Sequence, residues 1–301
     1  MCKVFGIDLG NGVVKTSEGV KFMSRVKNEI TKFNKDDIKV KYKNDDYTLG
    51  TVDGRDNTSK NKYAKTSFKL SLLTAIAKST NEKNITAKVV LGVPVKSYND
   101  DELVNKIKET VMSYETPETI TVEGVEKKII IKDIKIFPES GIIFLDKNRF
   151  KNEKTLVCDI GYGTIDISLW NGLRLENSST FKTGMASLYQ QIINKVNDKY
   201  AVNLETSEAE FMIGKKFYTI KQEKKDISFI NVIIENYVSD LASKIEQNYD
   251  TDKADSIQLI GGGAKALKNW LKEDFNIEDI FEDAEFANAN TFKTVGEAVW
   301  L

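Results

Sequence analysis

Histidine is absent from all 301 residues. Its absence excludes Ser-His-Asp and Cys-His nucleophilic chemistry and every histidine-ligated metal. Acid–base work falls to carboxylates, lysine, tyrosine or water, and a hard cation on oxygen ligands stays compatible. Two cysteines, Cys2 and Cys158, are too few for a disulfide framework or a zinc site. Cys158 lies in an apolar run and reads as a small buried hydrophobe, which fits a reducing compartment. Three prolines and no Pro/Gly/Ser tract exclude a long disordered linker. No apolar run approaches the roughly 20 residues of a membrane span. The chain enters an apolar strand at once, with no signal sequence or amphipathic anchor, so a cytoplasmic protein without membrane contact is expected. Net charge is also missing: 44 basic and 45 acidic residues leave −1. The chain as a whole therefore carries no footprint for direct nucleic-acid binding. The lysine-rich run from Lys32 to Lys43 includes Asp36 and Asp37 and reads as a solvated, mixed-charge face.

What is present is enough apolar content, 41%, for ordinary cores, and a length that suggests two domains. Val4 to Ile7 is an apolar strand ending in Asp8-Leu9-Gly10-Asn11-Gly12, and Val13 to Thr16 suits a returning strand. A hairpin is predicted over Ile38 to Leu49, turning at Asn44-Asp45-Asp46. A helix follows over Ser67 to Ala77. Val89 to Pro94 reads as a strand covered on both faces. Asn99 or Asp100 caps the next helix. Ile120 to Ile131 reads as a hairpin around Glu123-Gly124, Ile134 to Phe137 as a separate strand, and Ile142 to Leu145 as a short helix. The polar stretch Lys151 to Lys154 is the candidate domain boundary. Beyond it the pattern is mostly helical, with amphipathic segments over Met185 to Val196 and Phe229 to Ile245. Ser256 to Ile260 is a strand running into Gly261-Gly262-Gly263, and a helix with Leu267, Trp270 and Leu271 on one face follows.

After the boundary the N-terminal pattern starts again. Asp8-Leu9-Gly10-Asn11-Gly12-Val13-Val14-Lys15 aligns with Asp159-Ile160-Gly161-Tyr162-Gly163-Thr164-Ile165-Asp166, 151 positions on. A period of half the chain is a duplicated domain rather than a solenoid repeat. Glycines let backbone approach a phosphate, and successive turn N–H groups cradle anions. An aspartate at the strand end suits such a site when a hydrated magnesium ion stands between carboxylate and phosphate. Lys15, a strand-length on, is placed to neutralise phosphate charge. One Asp-x-Gly-x-Gly alone reads more readily as a tight turn, and two at matching positions are harder to dismiss. Gly261-Gly262-Gly263 follows a strand, where α/β folds bind nucleotides, although strand–Gly–helix turns are common. The run does not match a Rossmann fingerprint, and no Walker A pattern occurs. Glu139, after Phe137-Pro138, has two readings: orienting an attacking water, or a helix-start glutamate favoured by the dipole.

These turns resemble the phosphate-1, phosphate-2 and adenosine motifs of the actin-like ATPase superfamily, in the family's order. Leu91-Gly92-Val93-Pro94 and Pro138-Glu139-Ser140-Gly141 are similar to two further signatures, the second at the inter-domain connection. The ending Phe286-Ala287-Asn288-Ala289-Asn290, with Gly296 after it, resembles ParM-type plasmid-segregation actins. The resemblance implies an α/β fold of two duplicated actin-like (ribonuclease H-like) domains with a nucleotide cleft between them. Domain I would be 1–150, with a variable hairpin-rich insert at about 20–65 and a C-terminal return at 288–301. Domain II would be 151–287.

The resemblance also implies roles. Asp8 and Asp159 would organise Mg2+ through water, and Glu139 would position the hydrolytic water. Gly10, Asn11, Gly161, Gly163 and Thr164 would contact phosphates, with Lys15 beside them. Gly261 and Gly262 would line the adenosine, and Glu208 or Glu210 would reach ribose or base. Gly12, Tyr162, Gly184 and Gly263 complete the expected nucleotide-binding set. Tyr162 departs from the small or polar residue expected there, and its ring should point away from the phosphates. The expected cofactors are ATP, with GTP open, and Mg2+. The expected partners are the chain itself in a filament and a ParR-like DNA-binding adaptor at a centromere-like site. The expected setting is a bacterial plasmid or phage. Two alternatives stay open: a sugar- or acetate-type kinase with Asp166 as base, and a non-motile actin-like scaffold.

Overall fold

The computed structural model describes residues 2–30, 35–51, 54, 62–113, 116–275, 277 and 280–301. The chain divides into two compact units, Met1–Lys147 with Phe286–Leu301, and Asn148–Glu285. Among the described residues the first unit is built on a mixed sheet. Its strands are β1 (Cys2–Leu9), β2 (Val13–Thr16), β3 (Lys21–Met23), β4 (Val26–Lys27), β5 (Ile38–Tyr42), β6 (Asp45–Leu49), β7 (Asn84–Val93), β8 (Glu118–Val122) and β9 (Val125–Pro138). Their order is β3-β2-β1-β7-β9-β8-β5-β6-β4. β1, β7 and β9 run parallel, and the remaining pairs are antiparallel. Helices α1 (Thr66–Lys78) and α2 (Asp101–Val111) complete the first part of this unit.

β7 shows why the central strands read as unbroken apolar runs. Val89, Leu91 and Val93 belong to the core that includes Leu72, Leu73 and Ile76 of α1. Val90, between them, packs with Phe292 and Val295 near the C-terminus. Alternate residues thus meet different layers, and Val89, Val90 and Leu91 in the middle of the run are all buried.

Three local expectations change. The β5–β6 turn is Lys43-Asn44, both with positive φ (50° and 69°), not Asn44-Asp45-Asp46. A two-residue turn of this hand suits the twist of the strands, and it leaves Asp45 and Asp46 paired in the ladder with Tyr42 and Lys41. The hairpin strand after Glu123-Gly124 and the expected strand at Ile134 to Phe137 are one strand, β9. The polar Lys132-Asp133 pair is absorbed by a register shift opposite Ala87/Lys88 and does not end the strand. Ile142–Phe144 forms a 3-10 turn rather than an α-helix. Asp100, not Asn99, caps α2, accepting from the Leu103 N–H at 3.0 Å. The insert reads as hairpins where it is described, and its residues 31–34, 52, 53 and 55–61 lie outside the described set, as does Lys32.

The remaining elements are α3 (Lys147–Phe150), β10 (Lys154–Ile160), β11 (Ile165–Asn171), β12 (Arg174–Phe181), α4 (Met185–Tyr200), β13 (Phe217–Ile220), β14 (Glu223–Asp226), α5 (Ile230–Asn248), β15 (Ser256–Ile260), α6 (Gly261–Ala266), α7 (Lys268–Asp274) and α8 (Ala287–Trp300). In the second unit the sheet order is β12-β11-β10-β15, with β10 antiparallel to β11 and parallel to β15. This repeats the β3-β2-β1-β7 arrangement of the first unit strand for strand. α4 and α5 bring Leu188, Ile192, Val196, Ile234, Val238 and Leu241 to its core. Sequence periodicity misses β12 and the β13–β14 hairpin, because β12 is largely polar with no buried position, and the hairpin strands are four residues each with one buried position between them.

α8 returns to the first unit through glycine. A Cβ on Gly6 would lie 2.0 Å from the Ala289 carbonyl oxygen, and one on Gly296 2.7 Å from a Val4 methyl. The main chain of α8 therefore rests directly on β1. Asn288 Oδ1 accepts from the Ser140 N–H at 3.0 Å, tying the helix to the turn after β9.

Candidate functional site

In the first unit β1 brings Asp8 to its carboxyl end, and the β1–β2 ladder sets Asp8 opposite Lys15. Cross-strand partners share a face, so a carboxylate and an ammonium are held side by side, both buried. Among the described residues neither side chain makes a hydrogen bond or an ion pair within 4 Å. Burial pushes the Asp8 carboxyl up from its ordinary value, opposed by the charges of Lys15 and Lys62. Lys62 comes from a 3-10 turn before α1, and its Nζ donates to Asn11 Oδ1 at 3.0 Å and to the Leu9 carbonyl at 3.4 Å. No motif marks Lys62 in the sequence, because only folding carries it to the Asp8 turn. Gly10 makes the turn tight: a Cβ there would sit 2.7 Å from the Val13 carbonyl oxygen. The Ser24 N–H donates to the Gly12 carbonyl at 2.9 Å, and the Ser24 hydroxyl to that of Gly10.

The second unit repeats this geometry with different charges. Asp159 stands opposite Asp166 in the β10–β11 ladder, as Asp8 stands opposite Lys15. Both carboxylates are buried. Asp166, the base of the kinase alternative, accepts from the Thr164 hydroxyl at 2.9 Å and the Thr180 hydroxyl at 2.6 Å. Gly161 closes the turn, its N–H donating to the Thr164 carbonyl at 3.0 Å. The first N–H groups of α4 brace the loop: Met185 donates to the Gly161 carbonyl at 3.0 Å and Ala186 to that of Tyr162 at 2.8 Å. Gly184 permits this approach, since a Cβ there would meet the Thr164 nitrogen at 2.6 Å. The Tyr162 ring meets Tyr189 of α4 edge-on at 6.3 Å. The loop's bulky residue is therefore occupied with the hydrophobic layer.

Gly261, Gly262 and Gly263 are not a loop between strand and helix but the first turn of α6. A Cβ on Gly261 would fall 2.4 Å from Asp159 Oδ1, and one on Gly263 2.9 Å from Met185 Cγ. Gly262 has nothing within 4 Å of that position. The structure thus gathers Asp159, Gly161 to Thr164, Gly184, Gly261 and Gly263 at one end of the second sheet. It gathers Asp8, Gly10, Asn11, Gly12, Lys15 and Lys62 at one end of the first. Glu139 follows β9 directly, its N–H donating to the Val93 carbonyl at 2.8 Å. It precedes the 3-10 turn by two residues and does not start a helix, so the helix-dipole reading has no helix to act on. Glu208 lies in the 3-10 segment Thr206–Phe211 and accepts from the Tyr218 hydroxyl, and Glu210 is exposed.

Two units, each carrying the same strand order and the same Asp-x-Gly-x-Gly turn, define an actin-like two-domain α/β protein. The chain matches the family described as actin like proteins N terminal domain over residues 6–141, and archaeal actin homologue MreB-like, C-terminal, over residues 157–273. It belongs to the actin-like superfamily. Comparison with curated protein sequences returns no match. Among solved structures it is similar to the archaeal actin homologue Ta0583 in complex with ADP (18% identity, TM-score 0.81, covering 98% of this chain and 99% of that one). It is similar to the pCBH ParM non-polymerisable quadruple mutant (19%, TM-score 0.79, 99% and 100%). It is also similar to a 15-stranded ParM filament from Clostridium botulinum (20%, TM-score 0.78, 99% and 100%).

Proposed function

We propose that this chain is an ATPase that assembles into dynamic filaments on binding Mg-ATP and so segregates plasmid or other extrachromosomal DNA. The observation that carries the reading is the repeated strand-end aspartate, once opposite Lys15 and once opposite Asp166, each followed by a glycine turn. In this reading the Asp8 turn, with Gly10, Asn11, Gly12 and Lys15, serves phosphate. The Asp159 turn, with Gly161, Tyr162, Gly163 and Thr164, does the same. Gly261, Gly262 and Gly263 lie against the adenosine, and Glu208 against ribose or base. Lys62 joins this set through its bond to Asn11. Glu139 orients the attacking water.

Magnesium fits the residues present. Asp8 is a buried carboxylate without a hydrogen-bond donor among the described residues. No group of three or more His, Cys, Asp or Glu among the described residues can cage an ion alone. That combination suits an ion held by one or two carboxylates, water and phosphate oxygens. When bound, magnesium supplies charge neutralisation to the phosphoryl oxygens.

Filament assembly is supported by likeness to ParM filament structures. A head-to-tail contact that does not close gives an open polymer. The net charge of −1 favours reaching DNA through a ParR-like adaptor over direct binding. Among the described residues no helix is long and apolar enough to cross a membrane. The proposed setting is the bacterial cytoplasm.

Right-angle light scattering tests the reading, with Mg-ATP, Mg-GTP, a non-hydrolysable ATP analogue and no nucleotide compared, and phosphate release followed in parallel. The expected result is a nucleotide-triggered rise above a critical concentration, decaying as phosphate appears. The nucleotide that drives the rise is the substrate. Flat scattering with steady hydrolysis would overturn the filament reading and favour the kinase.

A further inference from the structure

The second unit carries a surface that the nucleotide site does not use. Phe211 is 60% exposed and Phe217, at the start of β13, 40% exposed. Lysines stand over the second of these and its neighbour. Lys216 and Lys224 stand over the Phe217 ring at 5.5 and 4.8 Å, and Lys215 over Tyr218 at 6.0 Å. These three lysines are exposed and make no ion pair among the described residues, unlike Lys225, which pairs with Glu223. Several bonds hold the hairpin: Lys221 and Gln222 form its two-residue turn, Tyr200 donates to the Asp226 carbonyl at 2.5 Å, and Tyr218 donates to Glu208. Asp226 lies near Lys216, but lysines outnumber carboxylates over Lys215 to Asp226, and an exposed aromatic ring under net positive charge is an interaction surface for an acidic partner.

A complementary face exists on the same chain. Glu273 and Asp274 close α7, both exposed and without an ion pair among the described residues. Their negative charges sit in the last turn of a helix, where the backbone dipole disfavours them. They are followed by half-buried Phe275 and Ile277. Among the described residues no ion pair joins the two faces, and their opposite charge makes a second copy of the chain a complementary partner.

We propose that the hairpin face of one copy, Lys215, Lys216, Lys224 and Phe217, docks on the Glu273–Asp274 face of the next. The two faces differ, so the contact is heterologous and repeats along an open polymer. The inference rests on the filament reading above and assigns it one contact.

The test uses two charge-reversed chains, K215E/K216E and E273K/D274K, each first checked for wild-type melting behaviour. Alone, each places like charges against each other, and its critical concentration should rise at least about tenfold. Mixed in equal amounts, every contact is again opposite in sign, and assembly should return to within about threefold of wild type. Added salt should weaken wild-type assembly, since the contact is exposed and screened. Reversed chains that assemble like wild type overturn this interface and leave the filament reading standing. A wild-type chain that does not assemble with any nucleotide overturns both. Loss in each single variant without recovery in the mixture overturns the pairing. Loss of binding to anionic vesicles or DNA, with assembly intact, assigns the hairpin to those partners instead.

Discussion

Asp8 sets a proposed site role against stability. Its carboxylate is buried at a strand end with two lysines near but none bonded to it. Its pKa in the folded chain lies above the ordinary 3.8, so ionised Asp8 opposes folding at neutral pH, and the opposition fades as pH falls towards 3.8. Asp8→Asn should therefore raise Tm at pH 7 without nucleotide. Relief of about 1 kcal/mol, the low end for a buried unsatisfied group, corresponds to roughly 2–4 °C. The gain should shrink towards pH 4, and Mg-ATP should no longer stabilise the variant. A lower Tm at pH 7 would show that Asp8 is paired by something that compensates its charge. Asp8 and Lys15 were legible in the sequence as an aspartate and a lysine either side of a glycine turn. Their opposition across a ladder follows from a four-residue β2 whose register the tight Gly10 turn fixes. Lys62 was not legible, because nothing local ties a residue of the insert to the first strand.

Elements show the same division. The three glycines of α6 look alike in sequence and are not alike in the fold. Gly261 has φ of +91° and no room for a Cβ beside Asp159, whereas Gly262 has open space. Gly261→Ala should cost about 1–3 kcal/mol from backbone strain and overpacking and weaken nucleotide binding. Gly262→Ala, in a helical turn, should be neutral or stabilise by up to ~1 kcal/mol. Denaturant unfolding of the two variants separates them, and equal losses would mean that the glycines serve flexibility rather than fit. Long apolar strands and amphipathic helices were readable from periodicity because each buries one regular face. β12 and the β13–β14 hairpin were not, since their residues are largely polar and only one of them is buried. The continuity of β9 through Lys132-Asp133 also escaped the pattern: a parallel partner on β7 carries the strand across a polar pair that looks like a break.

For the whole molecule, hydrolysis and assembly are proposed to be coupled, and Glu139 is the residue that separates them. Glu139→Ala should still assemble with Mg-ATP, while phosphate release falls by about 100-fold, the scale of a lost general base. Scattering should then persist instead of decaying. Loss of nucleotide binding in this variant would remove Glu139 from the role of orienting water. At this scale the sequence excluded much. Without histidine, no histidine-ligated metal or histidine base can form in these 301 residues, two cysteines are too few for a disulfide framework, and no apolar run reaches the length of a membrane span.

By itself, the sequence determined the duplicated α/β plan and the residue types at each strand end. Those follow from local rules: apolar alternation, glycine at tight turns, and the order of motifs along the chain. Only the tertiary structure decided which charges meet. Lys15 faces Asp8, while Asp166 faces Asp159 and is held by Thr164 and Thr180. Gly184 and Gly261 press on the Asp159 turn, and Lys62 reaches Asn11. The reason is distance along the chain. Contacts between residues tens of positions apart depend on strand register and on how closely two backbones approach, and neither is written in any local run of side chains.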